Sequence, residues 1–287
     1  MNSAKKSRLM LISSMVSFGT LAPFVRNIHV SSGELALYRA ILAAVLIGGY
    51  LLISKQKIAI RDIGKDFLLL LLSGMAMGIN WILLFEAYKY TTVAISTLSY
   101  YFAPVIVTLV CPVLFREKLT IKQILCFAMS TLGLTLVIGI TDPGKGGNDA
   151  VGIAFGLGAA CFYAAVILLN KFIKGVAGIH RTLLQFLSAI VILLPYVAFS
   201  GGMHLDSLDS IGWVCLLIVG LVHTGITYCL YFSSLKELPG QEAAILSYID
   251  PLVAIVIGVL VLGEPLSWQQ LIGGAMILGF TLWNELG

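Results

Sequence analysis

Charge is what this sequence has least of. Its 287 residues include 18 Lys and Arg and 14 Asp and Glu, 11% of the chain, where a soluble globular domain carries about 25%. That is too little to coat a water-facing surface of this size, which excludes a soluble enzyme. Whole chemistries are missing as well. No P-loop is present, so ATP is not a direct energy source, and no H-E-x-x-H or zinc-ligand spacing supports a metalloprotease or a metal site. There is no S4-like array of arginines, no motif-supported catalytic triad, and nothing that implies a cofactor. Cys111, Cys126, Cys161, Cys215 and Cys229 lie in apolar runs with no C-x-x-C pair, and read as small buried hydrophobes outside any disulfide framework. Lys5-Lys6-Ser7-Arg8 and the apolar run after it look like the start of a signal peptide, but no A-x-A cleavage site follows. The run is therefore read as a first membrane helix.

What is there is apolar: 59% of the residues, with a mean hydropathy of +0.99. A bilayer core needs about 20 mostly apolar residues per helix. Ten stretches approach that length: Leu9 to Val25, Gly33 to Ile53, Phe67 to Tyr88, Thr92 to Phe115, Ile121 to Ile140, Val151 to Phe172, Leu183 to Phe199, Ile211 to Leu235, Ala243 to Leu262 and Trp268 to Trp283. The expected fold is an all-α polytopic membrane protein of ten transmembrane helices. Loops are short and marked by turn residues such as Pro239-Gly240 and Gly263-Glu264-Pro265. None can fold into a soluble domain, so function must lie among the helices.

Lys and Arg collect on the cytoplasmic side. With the N-terminus inside, fourteen of the eighteen fall on one side; Arg26, Lys89 and Lys145 fall on the other, and Arg39 lies within a span. Both termini are expected in the cytoplasm. The net charge of +4 reflects this asymmetry and does not imply nucleic acid.

The chain repeats itself. Sliding it by 147 residues aligns Phe85 with Phe232, Lys89 with Lys236, Tyr101 with Tyr248, Pro104 with Pro251, Glu117 with Glu264, Leu119 with Leu266, Gln123 with Gln270, Ala128 with Ala275 and Met129 with Met276. An offset of five helices is odd, so the two halves have opposite orientations. They are assigned as 1–140 and 151–287, joined by a linker at 141–150. Inverted repeats are a recurrent transporter architecture, with the site near the midplane between the halves.

Two five-helix halves, each with a Pro in its fourth helix and an acid just after it (Pro104 with Arg116-Glu117-Lys118-Leu119; Pro251 with Gly263-Glu264-Pro265-Leu266), resemble the EamA-type carriers of the drug/metabolite transporter superfamily. Leu37-Tyr38-Arg39-Ala40 is similar to that family's second helix. The resemblance covers essentially the whole chain. It implies a ten-helix carrier with a central cavity lined mainly by helices 1, 3, 4, 6, 8 and 9, and functions such as the export of amino acids and other metabolites.

Asp250 is the most informative single residue: an acid mid-span in helix 9, on a small polar stripe with Ala243, Ser247, Ala254 and Gly258, where its repeat partner is Ala103. Intramembrane acids are functional by default, as a proton-coupling group or a counter-charge for an amine. The structural alternative is a protonated Asp capping carbonyls freed by Pro251. Arg39 and Glu86 are expected to form a structural ion pair, with Lys89 as a rival partner and Glu86 also a candidate substrate contact. His223 is a candidate polar relay, or else a packing histidine. Asn80, Trp81, Tyr100, Tyr101 and Tyr163 join Ser247 and Asp250 as candidate substrate-binding residues, since aromatic walls with few polar groups suit flat, partly apolar ligands or organic cations. Pro104 and Pro251 are candidate hinges. Glu117 and Glu264 are expected to complement the N-termini of the helices that follow them, and Gly74-x-x-x-Gly78 and Gly152-x-x-x-Gly156 to mark close helix contacts.

The expected function is a secondary active or facilitative carrier of the inner or plasma membrane, working by alternating access as a monomer or homodimer, with protons as a candidate coupling ion. Amino acids are the first expected substrates, aromatic ones foremost. Organic cations or drugs and nucleotide sugars are alternatives; a non-transport intramembrane enzyme or scaffold, or a channel, is a weaker one.

Overall fold

The computed structural model describes residues 3–55, 60–115, 120–138, 148–176, 178–234 and 246–285. All described regular elements are helices: α1 (Ser3–Gly19), α2 (Leu21–Arg26), α3 (Ser32–Ile53), α4 (Ile60–Tyr90), α5 (Val93–Tyr100), α6 (Ala103–Phe115), α7 (Ile121–Ile138), α8 (Asp149–Phe172), α9 (Gly178–Phe199), α10 (Ser210–Leu217), a π-helix (Ile218–Ile226), α11 (Thr227–Ser234), α12 (Ile249–Leu260) and α13 (Trp268–Glu285). They occupy all ten of the apolar stretches. Six helical stretches are long and apolar enough to cross a membrane, and 93–107, 121–136 and 249–260 are shorter apolar helices. Glu117, Lys236, Ala243 and most of the 141–150 linker lie outside the described residues.

Polarity runs inside out. Phe199 and Leu52 are 92% and 82% exposed, whereas Arg39, Asn80 and Gln185 are buried. In water this would be unstable; in lipid it is the only stable arrangement, because hydrocarbon is the outer solvent and polar groups must find partners within the bundle.

Contacts between helices obey a pseudo-two-fold. α4 packs on α8 and α9; correspondingly, α11 packs on α1 and the π-helix packs on α3. α5 packs on α8 as α12 packs on α1, while α3 with α9, α5 with α12 and α7 with α13 pair across the axis. Several repeated residues acquire a physical reason. Thr120 and Gln123 exchange hydrogen bonds in a capping box at the start of α7 (2.8 and 3.2 Å). Ser267 and Gln270, 147 residues on, do the same at the start of α13 (2.9 and 3.2 Å).

Glycines set the close seams. A Cβ on Gly74 or Gly78 would meet α9 at Gln185, Ser188 and Leu193, and one on Gly152 or Gly156 would meet Thr91, Ser96 and Ser99. In the other half, Gly220 and Gly225 lie against Leu42 and Leu46 of α3. Both expected G-x-x-x-G seams are therefore close contacts.

One end of the bundle is latched by Glu264. Its Oε2 accepts from Val93 N–H at the start of α5 (2.7 Å), and its Oε1 pairs with Arg26 at the end of α2 (2.5 Å). Gly258 makes room for this carboxylate, since a Cβ there would lie 2.9 Å from Oε2. The expectation that Glu264 serves its own following helix is corrected: it caps α5, because the fold brings that unpaired N-terminus against the α12–α13 turn. Beside it, Thr91 donates to Asp149 at the start of α8 (2.6 Å). By the distribution of Lys and Arg this is the outer end.

Two substitutions test these contacts. Gly74→Ala forces α4 from α9 and is expected to cost about 1–3 kcal/mol of stability by overpacking, while Gly279→Ala, with nothing within 4 Å of its Cβ, leaves the thermal midpoint of the purified protein unchanged. Glu264→Ala strands the Val93 N–H and Arg26, and is expected to lower stability by about 1–3 kcal/mol; an unchanged midpoint would show the latch to be dispensable.

Candidate functional site

Two helices are broken at matching places. The fourth stretch is interrupted at Tyr101 and Phe102, between α5 and α6, and the ninth is interrupted at Tyr248, before α12. Pro104 lies in the first turn of α6, where its missing N–H costs nothing, and Pro251 takes the same place in α12. Tyr101 and Tyr248 are repeat partners. The breaks meet: Tyr101 Oη–H donates to Asp250 Oδ2 (2.6 Å) and reaches the Ser247 carbonyl at 3.5 Å. Asp250, in the first turn of α12, also places negative charge at a helix N-terminus, where it is favoured.

Around this bond lies a cavity of about 410 Å³, within the size range of small-molecule sites. α1 contributes Met15 and Phe18; α4 contributes Met77, Asn80 and Trp81; α5 and α6 contribute Tyr100 and Pro104; α8 contributes Tyr163, Val166, Ile167 and Asn170; α11 contributes Tyr228 and Tyr231. Tyr101, Ser247, Tyr248 and Asp250 complete it at the breaks. Tyr163 stacks on Tyr100 with centroids 5.1 Å apart and planes at 26°, and Phe18 meets Tyr228 edge-on at 5.2 Å. Asp250 is the only carboxylate in the lining.

The cavity extends away from the Glu264 latch. Its other end is formed by Asn170, Arg181, Thr182 and Gln185, so α9 joins the six helices that were expected. Gln185 Nε2 donates to Ser73 Oγ (2.7 Å) and Asn170 Oδ1 (2.8 Å), joining α4, α8 and α9. Arg181 donates to the carbonyls of Val176 (2.8 Å) and Ile173 (2.7 Å), which secures the α8–α9 turn. These four residues were not predicted. The available signal was polar side chains at membrane depth in runs read only for their apolar character.

The predicted substrate residues Asn80, Trp81, Tyr100, Tyr101, Tyr163, Ser247 and Asp250 are thus brought together in one cavity. Asn80 also has a packing task, donating to the Ala159 carbonyl (2.7 Å) and tying α4 to α8. Its repeat partner Thr227 does likewise for α11 and α1, through Ser17 Oγ (2.7 Å). Others fall elsewhere. His223 is not among the cavity residues: its Nε2 lies 3.2 Å from Thr20 Oγ1, in the seam between α1 and the π-helix. In that π-helix the Thr224 hydroxyl donates to the carbonyl five residues back (2.7 Å), a geometry frequent at functional sites.

The expected Arg39–Glu86 ion pair is corrected. Glu86 pairs with Lys89 (3.0 Å) near the surface, with side chains 24% and 48% exposed; this local pair forms without burying a carboxylate. Arg39 is 2% exposed, donates from Nε to Thr224 Oγ1 (2.9 Å), and lies over the Trp81 ring at 4.4 Å and the Phe85 ring at 5.3 Å. The stripe Met77, Trp81, Phe85, Tyr88 is also divided. Met77 and Trp81 face the large cavity, whereas Phe85 and Tyr88 line a second, outer pocket of about 210 Å³ with Arg26, His29 and Lys89. Of the described cysteines all are free, and Cys161 is exposed where a buried position was expected.

Known proteins agree with this architecture. The EamA-like transporter family matches residues 5–139 and again 150–284. The "Uncharacterized transporter YxxF" of Bacillus subtilis (strain 168) is 32% identical over 273 residues, covering 93% of this chain and 85% of its own. An "Uncharacterized transporter" of Archaeoglobus fulgidus is 30% identical, covering 96% and 95%, and Protein PecM of Dickeya dadantii (strain 3937) is 24% identical, covering 84% and 80%. A solved crystal structure, 14% identical, superposes with a TM-score of 0.66 over 96% of this chain and 95% of that one, a likeness of fold. With a cavity between inverted halves and a family match in each half, the chain belongs to the EamA-like transporter family and is a multi-pass transporter of the cell membrane.

Proposed function

We propose that this protein is an alternating-access carrier that exports amino acids, aromatic ones foremost, through the cavity at the two helix breaks. One observation carries the reading: a single carboxylate, Asp250, held by Tyr101 in a cavity otherwise walled by aromatic rings. Asp250 supplies the counter-charge for an ammonium group, and the faces of Tyr100, Tyr163 and Tyr228 supply stacking and cation–π contacts worth about 0.5–2 kcal/mol each. The latch at Glu264 closes the outer end while the cavity reaches toward Arg181, so this conformation suits loading from the cytoplasm.

Ten crossings with both termini inside complete the proposal. Bending at the breaks beside Pro104 and Pro251 is the motion that exchanges access, because a helix already interrupted there loses no further backbone hydrogen bond when it bends. Asp250 is also placed to exchange a proton with the substrate ammonium, which would couple export to proton entry. A second reading, a carrier of organic cations, is favoured by the same lone acid among aromatic rings.

Counterflow in proteoliposomes tests both. Labelled L-phenylalanine is expected to exchange into vesicles holding the wild type, and Asp250→Asn is expected to reduce that flux about 10- to 100-fold by removing a charge-assisted contact, while leaving the protein folded. Flux at the wild-type level in Asp250→Asn would remove the basis of the proposal. Uptake of an organic cation without uptake of any amino acid would select the second reading. Tyr101→Phe keeps the ring but frees the carboxylate; its expected effect is smaller, about 3- to 10-fold, read as a rise in half-saturating substrate concentration.

A further inference from the structure

Arg39 carries a charge that the bundle does not balance. Its guanidinium is buried, and its hydrogen bonding is limited to the Nε–H given to Thr224. Among the described residues no carboxylate pairs with it: Glu86 is taken by Lys89, Glu264 by Arg26, Asp250 by Tyr101, and Glu34 by Ser31, Tyr38 and the His204 N–H. Its charged neighbourhood consists of the phenols of Tyr228, Tyr100 and Tyr88. Two aromatic faces ease its burial but leave both Nη groups without an acceptor. A buried, unpaired cation in a membrane protein is costly to keep.

Its position gives the charge a use. Trp81 lines the large cavity and Phe85 lines the outer pocket, one helical turn apart on α4. Arg39 lies against both rings, at the partition between the two spaces. A solute passing outward from the cavity must pass that partition. Deepening the reading as an amino-acid carrier, on which it rests, we infer that Arg39 binds the substrate carboxylate during passage. Asp250 and Arg39 then form two poles of one path, and the preferred solute is a zwitterion whose ammonium meets Asp250 and whose carboxylate meets Arg39 once the Trp81 indole turns aside. A guanidinium suits this task because its planar fork matches a carboxylate with two parallel hydrogen bonds.

The test compares two probes with the same ring and amine in counterflow: L-phenylalanine, and phenethylamine, which lacks the carboxylate. The wild type is expected to prefer phenylalanine, and Arg39→Gln is expected to lower the ratio of phenylalanine to phenethylamine uptake about 10- to 100-fold. Arg39→Lys, which keeps the charge without the fork, is expected to fall between them and guards against misfolding of the Gln variant. An unchanged ratio in both variants overturns the assignment. Should neither probe be carried, the aromatic amino-acid reading falls, and Arg39 is judged by thermal stabilisation with acetate and benzoate against acetamide and benzamide. Stabilisation by the acids that is lost in Arg39→Gln upholds the carboxylate site, and equal midpoints overturn it.

Discussion

Hydrocarbon offers no hydrogen bonds, so a helix broken inside the membrane must turn its freed backbone groups toward protein or a polar cavity. The rest of this structure follows from where it breaks two helices. The interruptions at Tyr101–Phe102 and at Tyr248 face one another and are joined through the Tyr101–Asp250 bond. Helices on either side pack closely through glycine seams. Space is left only where the broken segments cannot fill it, and that space is the cavity.

The inverted repeat makes two such breaks inevitable but does not make them equivalent. Matching capping boxes and the matched roles of Asn80 and Thr227 show the common scaffold. Asp250 against Ala103, and Arg39 on α3 against the amide of Gln185 on α9, show where the halves have diverged. Charge is expensive at this depth, and it is the divergent positions that bear it. A symmetric frame thus supplies two half-sites and a means of motion, while a few asymmetric side chains supply chemistry.

The Glu264 latch and the Gln185–Ser73–Asn170 network hold opposite ends of the bundle by different means. Glu264 ties α2, α5 and the α12–α13 turn by charge. Neutral amides join α4, α8 and α9 at the other end. A carrier must open one end at a time, and a single carboxylate that closes three elements is a compact way of keeping the outer end shut while the cavity is filled from the inner one.

The sequence by itself determined the solvent, the helices and the repeat. Hydrophobicity and turn residues are local properties, and helical propensity inside a bilayer has no competitor once each backbone group must be satisfied within its own segment. It also singled out Asp250, Trp81, Tyr101 and Tyr163, because a polar or aromatic residue in mid-span is anomalous without knowledge of its neighbours. Partners were decided by tertiary structure alone. Arg39 and Glu86 look complementary along the chain, yet the fold gives Glu86 to Lys89 and sets Arg39 over Trp81; Glu264 serves a helix 171 residues away; and Arg181, Gln185 and Asn170 enter the cavity because α9 packs on α4. Pairing energies depend on distance and desolvation, and both are properties of how helices pack, which the order of residues in a single span does not contain.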